Sequence, residues 1–513
     1  MKNWILHSVP LLGILFYLFA WKLAYPWLGY MLDSDAVGYL TVAERVANGD
    51  FFQSINALWS PMNSWLLLVK QHQGMNFFFR AQVWNLFFGM LLLLQTWYLM
   101  YIMQVNTLIR VIAQGILSVV MVYLVYYQVF ADLLQCLFIL TYLIWMISRK
   151  NKLNMLTAIV SGMIIGIGFY AKAYTWFFFL LHFLIWQSFL YIQKQQTFKH
   201  SLRQGAIGIF TSLAFMSPWI YAIHHKFGVW TVTGLAGKLN MSWYINSGKT
   251  FKDSIQLLIP PTYSDSPSFW EDPFPSQGIL TGPFSSLSAF IHWIARCFHT
   301  TLSAVSCYAE LSLFALLLIG WGAYYFLFIN RKSIDFKAEK MVVLALCVLP
   351  LGYLTMHIET RYLWLSLFLL PIVFDRFVLK HIKRYKTFWA VIWGVSFLVF
   401  PFLQFEQLRN KNKDLFQEAQ EWRKEKFTQI PFTSSASDEG RMWVLAYLSR
   451  SQYYTIEASS YTEAELVNEM KRYRVKWYLQ EKGKCNNGLH FNGNDRWLKR
   501  FETTRFIAYE LLP

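Results

Sequence analysis

Charge is scarce in this chain, and negative charge scarcest. Only 15% of its 513 residues are charged, with 29 Asp and Glu against 46 Lys and Arg. Soluble domains carry about 25% charged residues, so an ordinary soluble globular protein is excluded. Cysteine is also sparse, at five. Cys136 and Cys347 fall inside apolar runs, and Cys485 stands alone in the tail. Cys297 and Cys307 share one polar interval and could pair, but reduced, inert thiols are the favoured reading. No Cys/His spacing matches a zinc site. The chain has neither a phosphate-binding Walker loop nor a Gly-rich dinucleotide fingerprint, so a soluble nucleotide has no evident cradle. No Ala-x-Ala follows the first apolar run, which is therefore expected to remain as an anchor. No internal repeat is evident.

Apolar residues are abundant, at 56% of the chain, with 19% aromatic. They fall in blocks of about twenty, long enough to cross some 30 Å of hydrocarbon as a helix. The expected fold class is a polytopic α-helical membrane protein. About eleven spans are read, near 4–24, 81–103, 109–126, 131–147, 155–171, 174–192, 206–223, 311–329, 341–355, 362–374 and 388–402.

The net charge is +17, and cations cluster in alternate short loops. These are Arg149-Lys150-Asn151-Lys152; Lys194, Lys199 and Arg203; Arg331-Lys332 with Lys337 and Lys340; and Arg376, Lys380, Lys383, Arg384 and Lys386. The positive-inside rule makes these loops cytoplasmic, together with an N-terminus bearing Lys2. One continuous basic face for nucleic acid is not what this pattern supplies. Intervals 26–80, 224–307 and the tail from 404 then lie on the far side, which in a bacterium is outside the cytoplasmic membrane. A membrane domain over 1–403 and an extracytoplasmic α/β domain over 404–513 are expected.

The first far-side loop holds Asp33-Ser34-Asp35 immediately after the first apolar run. Ser34 suits an N-cap and Gly49 a stop. Val37, Leu40, Ala43 and Ala47 share one helical face, with Arg45 opposite. Glu44 lies on the apolar face, as though aimed into a cavity. The stretch reads as a short helix in the interface plane, with a second amphipathic stretch at 63–69 after Trp59-Ser60-Pro61. The second long loop, with Pro260-Pro261 and Trp270-Glu271-Asp272-Pro273, reads as an ordered cover. In the tail, helices are expected at 412–427, 441–449 and 462–473, and strands at 452–457, 475–479 and 505–511.

Acids at a helix start can simply complement its dipole. That reading and a catalytic one compete for Asp33 and Asp35, and again for Asp132 at the start of the fourth span. Lys172, between two spans, can snorkel or bind an anion. Arg361, in His357-Ile358-Glu359-Thr360-Arg361-Tyr362, runs against the charge bias of its loop, which favours an anion ligand. The pair His224-His225 reads as surface. Together these residues put acids and bases around one far-side cavity, where charge is costly and usually functional. A carboxylate there can deprotonate a hydroxyl, while a guanidinium and an ammonium hold a phosphate leaving group. A phosphate carried on a lipid suits such an enzyme.

Four segments, in this order and sidedness, resemble the GT-C fold glycosyltransferases, the superfamily of protein O-mannosyltransferases and lipid A aminoarabinose transferases. Asp35-Ala36-Val37-Gly38-Tyr39 resembles the Asp-Glu-x-x-Tyr motif of the first outer loop, with Trp59-Ser60-Pro61 resembling its proline-containing motif. Ala131-Asp132-Leu133-Leu134 resembles the acid opening a later span. Gly168-Phe169-Tyr170-Ala171-Lys172 resembles a Gly-x-x-x-Lys segment, and Glu359-Thr360-Arg361-Tyr362 the late Arg-Tyr motif. The match covers most of 1–403. One departure is that Ala36 stands where the family has Glu, while Asp33 lies two residues before Asp35. The resemblance implies a polyprenyl-phosphate sugar donor, an inverting transfer on the outer face, and a glycan, lipid or protein acceptor. That departure leaves the base open between Asp35 and Asp33; with Asp35 as base, Asp33 orients it or binds a cation, and Asp132 is a second carboxylate for the acceptor or a metal. Lys172 and Arg361 would hold the phosphate. Glu359, His357, Glu44 and Tyr39 would support them. A divalent cation on Asp33, Asp35 and Asp132 is left open. The alternatives are a flippase for a lipid-linked saccharide, which predicts mid-span charges and inverted repeats, and a non-catalytic assembly subunit.

Overall fold

Long apolar helices dominate the computed structural model, which describes residues 3–69, 76–127, 131–149, 154–232, 234–245, 257–276, 280–329, 337–382, 384–434, 438–456, 461–483 and 496–512. Lys2, the basic loops at 150–152 and 331–332, Lys383 and Cys485 lie outside the described residues. Among those described, six helices are long and apolar enough to cross a membrane, or seven if the bent pair Leu287–Leu311 and Ala315–Tyr324 forms one span. Asp132–Ser148 and Met155–Ala171 are apolar but shorter, at 17 residues each. The chain is an integral membrane protein of helical class with a small sheet.

Small residues bring helices close. Gly162 and Gly166, one turn apart on Met155–Ala171, face Phe198–Phe227. A Cβ on Gly162 would sit 2.4 Å from the Gly208 carbonyl oxygen, and one on Gly166 would sit 2.8 Å from that of Ser212. Helices in lipid associate through such close packing, because burial from water gives them no drive.

The structure departs from the sequence reading in two places that matter for the site. Leu287–Leu311 is a helix of 25 residues inside the interval read as loop, capped by Ser286 and followed by a 110° bend. His292, Arg296 and His299 lower its hydropathy. Yet Leu287, Phe290, Ile291, Ile294, Phe298 and Leu302 form one exposed face at helical spacing, the pattern of an amphipathic helix. The other departure is the cap of helix Ser34–Ala47. It is Asp33 rather than Ser34 whose side chain accepts from the backbone N–H of Asp35 at 2.8 Å and of Ala36 at 3.3 Å.

The tail forms most of a six-stranded sheet. The strands are β1 Leu258–Ile259, β2 Pro431–Ser434, β3 Gln452–Ile456, β4 Trp477–Glu481, β5 Trp497–Glu502 and β6 Phe506–Leu511, in the order β1-β3-β2-β4-β6-β5. The β2 strand pairs in parallel with both β3 and β4. Parallel neighbours need crossovers, supplied by helices Glu439–Ser449 and Glu463–Arg472. The second long loop contributes β1, antiparallel to β3, so loop and tail share one sheet.

This layer is fastened to the chain before Ser34–Ala47 and to the last turn of that helix. The Asn412 amide donates to the Leu32 carbonyl. The Asn410 N–H donates to the Trp27 carbonyl at 2.8 Å. Tyr447 donates to Glu44 at 2.9 Å. Arg45, expected on the solvent side, is instead buried beneath the second loop. It pairs with Glu271, with Asp265 at 2.9 Å and with Asp50 at 3.5 Å. Lys226 pairs with Asp272 of its own interval at 3.2 Å and donates across to the Gln53 carbonyl at 2.9 Å. A cation buried this well is stable only with partners in place; here they lock the two long loops together.

Candidate active site

Asp35 lies in the first turn of Ser34–Ala47, and two groups distant in sequence meet it. Its Oδ2 accepts from Arg361 Nη2 at 3.2 Å, and its Oδ1 from the Trp270 indole N–H at 3.2 Å. Arg361 sits in a short 3-10 turn, Thr360–Leu363. Its Nε pairs with Glu359 Oε2 at 2.8 Å, and its Nη2 donates to Glu359 Oε1 at 3.1 Å. Glu359 Oε1 also meets His357 Nε2 at 3.1 Å and the Tyr362 hydroxyl at 3.2 Å.

A second ion pair stands beside the first. Lys172, in the break between Met155–Ala171 and Tyr174–Ile192, holds Asp132 at 2.5 Å. Its ammonium lies 4.1 Å from the centre of the Tyr362 ring, while the Arg361 guanidinium carbon lies 5.2 Å from the same ring. One phenol thus separates two cations. Behind it, Tyr362, Tyr353 and Tyr174 stack with centres 4.4 and 3.8 Å apart, a rigid wall of the kind aromatic stacking provides.

The carboxylates differ in acidity because their surroundings differ. Burial, then the adjacent Asp35 charge, pushes Asp33 up to about 7. Asp35 is also raised by burial, with Arg361 opposing. Two near carboxylates that cannot both ionise freely titrate as a pair. Burial works to raise Glu359 too, but the His357 hydrogen bond and Arg361 outweigh it and hold the acid down at about 2. Burial pushes the Tyr39 phenol up, with help from the Asp132 and Asp35 charges, which puts Tyr39 beside the same cluster. Glu44 faces Tyr447 instead.

The side chain of Asp132 is 4% exposed and that of Arg361 10%, whereas Asp35 and Lys172 are 21% and 22% exposed. His357 and Glu359 are more open still, at 32% and 34%, so these four side chains and, less so, Arg361 present surface to a substrate while Asp132 is shut away. On the Thr360 side, a mainly apolar groove with about 20 Å³ of enclosed space lies between helices; Tyr123, Tyr127, Leu311, Trp364 and Leu367 are among its lining, with Glu310 and Thr360. On the Trp270 side the wall is aromatic. Trp443 of helix Glu439–Ser449 stacks on Trp270 at 4.8 Å and 15°, and Trp243 at 5.7 Å and 28°.

The three carboxylates considered as cation ligands do not converge. Asp33 caps its helix, Asp132 holds Lys172, and Asp35 accepts from Arg361 and Trp270. Among the described residues no three His, Cys, Asp or Glu are grouped to hold a metal ion.

Asp35, Asp132, Lys172, His357, Glu359 and Arg361 are thus brought together, with Asp33 and Tyr39 at the edge. Sequence reasoning missed Trp270 as the second partner of Asp35, Trp443 behind it, and Arg296, which meets His357 Nδ1 at 3.3 Å.

No family profile matches the chain, and no curated protein sequence does. Solved structures do. The chain is similar to ArnT from Cupriavidus metallidurans bound to undecaprenyl phosphate, at 9% identity and a TM-score of 0.55, over 98% of this chain and 97% of that one. It is also similar to the archaeal oligosaccharyltransferase AglB from Archaeoglobus fulgidus in complex with an inhibitory peptide and a dolichol-phosphate. There the identity is 11% and the TM-score 0.54, over 94% of this chain and 69% of that one. At such identity the likeness speaks for the fold, and the fold of this chain is that of the GT-C membrane glycosyltransferases.

Proposed function

We propose that this protein is a membrane glycosyltransferase that moves a sugar from a polyprenyl-phosphate donor to an acceptor hydroxyl, with inversion. The observation that carries the reading is the meeting of Asp35 and Arg361, 3.2 Å apart, beside the Lys172–Asp132 pair at the end of an apolar groove. The solved neighbours described with undecaprenyl phosphate and dolichol-phosphate support a lipid-phosphate ligand.

The prenyl chain lies in the groove lined by Tyr123, Tyr127 and Trp364, and the phosphate faces Arg361 and Lys172. The acceptor enters from the Trp270 side. Asp35 takes the proton of the acceptor hydroxyl. The oxygen attacks the anomeric carbon on the face opposite the phosphate, forming the new glycosidic bond. The bond from that carbon to the phosphate oxygen breaks, and its electron pair stays on the phosphate, which goes from monoanion to dianion. Arg361 and Lys172 stabilise the added charge. No general acid is needed, because phosphate leaves unprotonated. Asp132 holds Lys172 in place, and Glu359 holds Arg361. The site faces the exterior of a bacterial cytoplasmic membrane, with the N-terminus inside and the 404–513 layer outside.

The test is donor consumption by the purified protein in lipid nanodiscs, over a panel of polyprenyl-phosphate pentoses and hexoses with mixed acceptors. Release of polyprenyl phosphate from one donor, abolished by Arg361→Ala, is expected. Translocation of the intact lipid-linked sugar without its cleavage would replace this reading with a flippase.

A further inference from the structure

Arg361 Nη2 donates to Asp35 at 3.2 Å and to Glu359 at 3.1 Å, and the chain of contacts behind Glu359 leads out of the pocket. Glu359 grips the guanidinium at two points, 2.8 and 3.1 Å. Glu359 is itself met by His357 Nε2 at 3.1 Å. The other ring nitrogen, Nδ1, faces Arg296 Nη2 at 3.3 Å. A guanidinium has donors only. The Nδ1 of His357 must therefore accept, which leaves the proton of the neutral ring on Nε2, pointed at Glu359. With the opposite tautomer, a lone pair would face a carboxylate and the contact would be lost. Glu359, an acceptor, and Arg296, a donor, thus agree on one tautomer; the carboxylate draws the proton to Nε2, and the guanidinium keeps Nδ1 unprotonated and the ring held in place.

Arg296 is well placed for this. It belongs to Leu287–Leu311, the helix that reads as loop in the sequence. That helix lies along the strand of chain leading into the site: Trp293 Nε1 donates to the Thr355 carbonyl at 3.0 Å, and Arg296 Nε to that of Met356 at 2.9 Å. The loop residues just before His357 are therefore hung on one helix face. The opposite face of the same helix is apolar and exposed, through Leu287, Ile291, Ile294 and Phe298.

We infer that Arg296 is a positioning residue for the phosphate ligand Arg361, acting through the tautomer of His357 and the carboxylate of Glu359. The inference rests on the reading of Arg361 as a phosphate ligand and extends the site to a residue two contacts removed from it. A residue that only stabilises the fold would act whatever stands at position 357. A tautomer-setting residue would not: His357→Gln puts an amide N–H where Nε2–H was, so the donor to Glu359 no longer depends on Arg296.

The experiment measures undecaprenyl phosphate affinity of the full chain in nanodiscs. Arg296→Ala is expected to weaken binding about tenfold, the low end of what losing an orienting partner costs in a built site. Arg296→Lys should restore most of it. His357→Gln sets the reference for its own background, and adding Arg296→Ala to it should cost less than about twofold, the non-additivity expected of residues in one network. Should Arg296→Ala fail to fold, Arg296→Gln takes its place in both backgrounds. Equal loss in both backgrounds, or no loss in either, overturns the inference. Unaltered affinity in Arg361→Ala overturns the phosphate-ligand reading and this inference with it; loss in Arg361→Ala with none in Arg296→Ala overturns the inference alone.

Discussion

Asp35→Asn is the most telling single change. Asparagine keeps the shape of the side chain and an oxygen to accept from Trp270, now 3.2 Å away, so the aromatic wall has no reason to move. Two things are lost. A neutral amide cannot take the acceptor proton, and a positioned base contributes about 10²–10⁴-fold to rate. The Arg361 contact at 3.2 Å is lost too, because the single amide oxygen stays with Trp270 and the NH2 would face a donor. A hydrogen bond is worth about 1 kcal/mol net, or about fivefold in binding. Arg361 keeps its hydrogen bond and its ion pair with Glu359, so its position is held. The expected result is a kcat reduced by about a hundredfold or more, with donor KM changed by less than about tenfold. The assay is initial-rate release of polyprenyl phosphate over a range of donor concentrations. A kcat within about threefold of the unsubstituted enzyme would refute the assignment of Asp35 as base.

Asp33→Asn separates the two neighbouring acids. Asn caps a helix about as well as Asp, so the fold should persist. Asp33 is held up at about 7 by burial and by Asp35. Its protonated form therefore contributes stability that is full below the ordinary carboxylate range and lost as pH rises through about 7. Thermal unfolding across pH should show the variant gaining on the parent protein as pH rises through that window; parallel curves would contradict the pairing. Gly38→Ala tests how tightly helix Ser34–Ala47 is seated. Its Cβ would lie 2.2 Å from the buried Trp59 indole nitrogen, which donates to the Glu271 carbonyl at 3.1 Å. A loss of about 1–3 kcal/mol is expected, read as a lowered thermal midpoint, and an unchanged midpoint would show that the indole has room to move.

Much of the site was legible because this chain has so few charges to distribute. Asp35, Asp132, Lys172 and Arg361 stand out as the polar residues at the ends of apolar runs, and lipid makes such placements expensive. Their pairing was not legible. Nothing local tells Asp35 that its partners are Arg361 and Trp270, 326 and 235 residues away. The assignment of Ser34 as cap failed because Asp33 and Ser34 cap equally well, and only the backbone decides. Arg45 reads as solvent-facing from the periodicity of its own helix; its burial comes from Glu271 on another loop. Helix Leu287–Leu311 was hidden because hydropathy averages over a turn, while its apolar residues occupy one side. That error also concealed Arg296. In the tail, strands β3, β4 and β6 carry alternating or aromatic runs, whereas β1 is two residues long and exists because β3 offers an edge.

The account stands on one placement: a lipid phosphate between Lys172 and Arg361, next to Asp35. The direct measurement is an electron cryo-microscopy structure of the full chain in nanodiscs with undecaprenyl phosphate. The account predicts phosphate oxygens within hydrogen-bonding reach of both cations, with the prenyl chain along Tyr127 and Trp364. A phosphate bound elsewhere, with Arg361 still closed on Asp35, would contradict it.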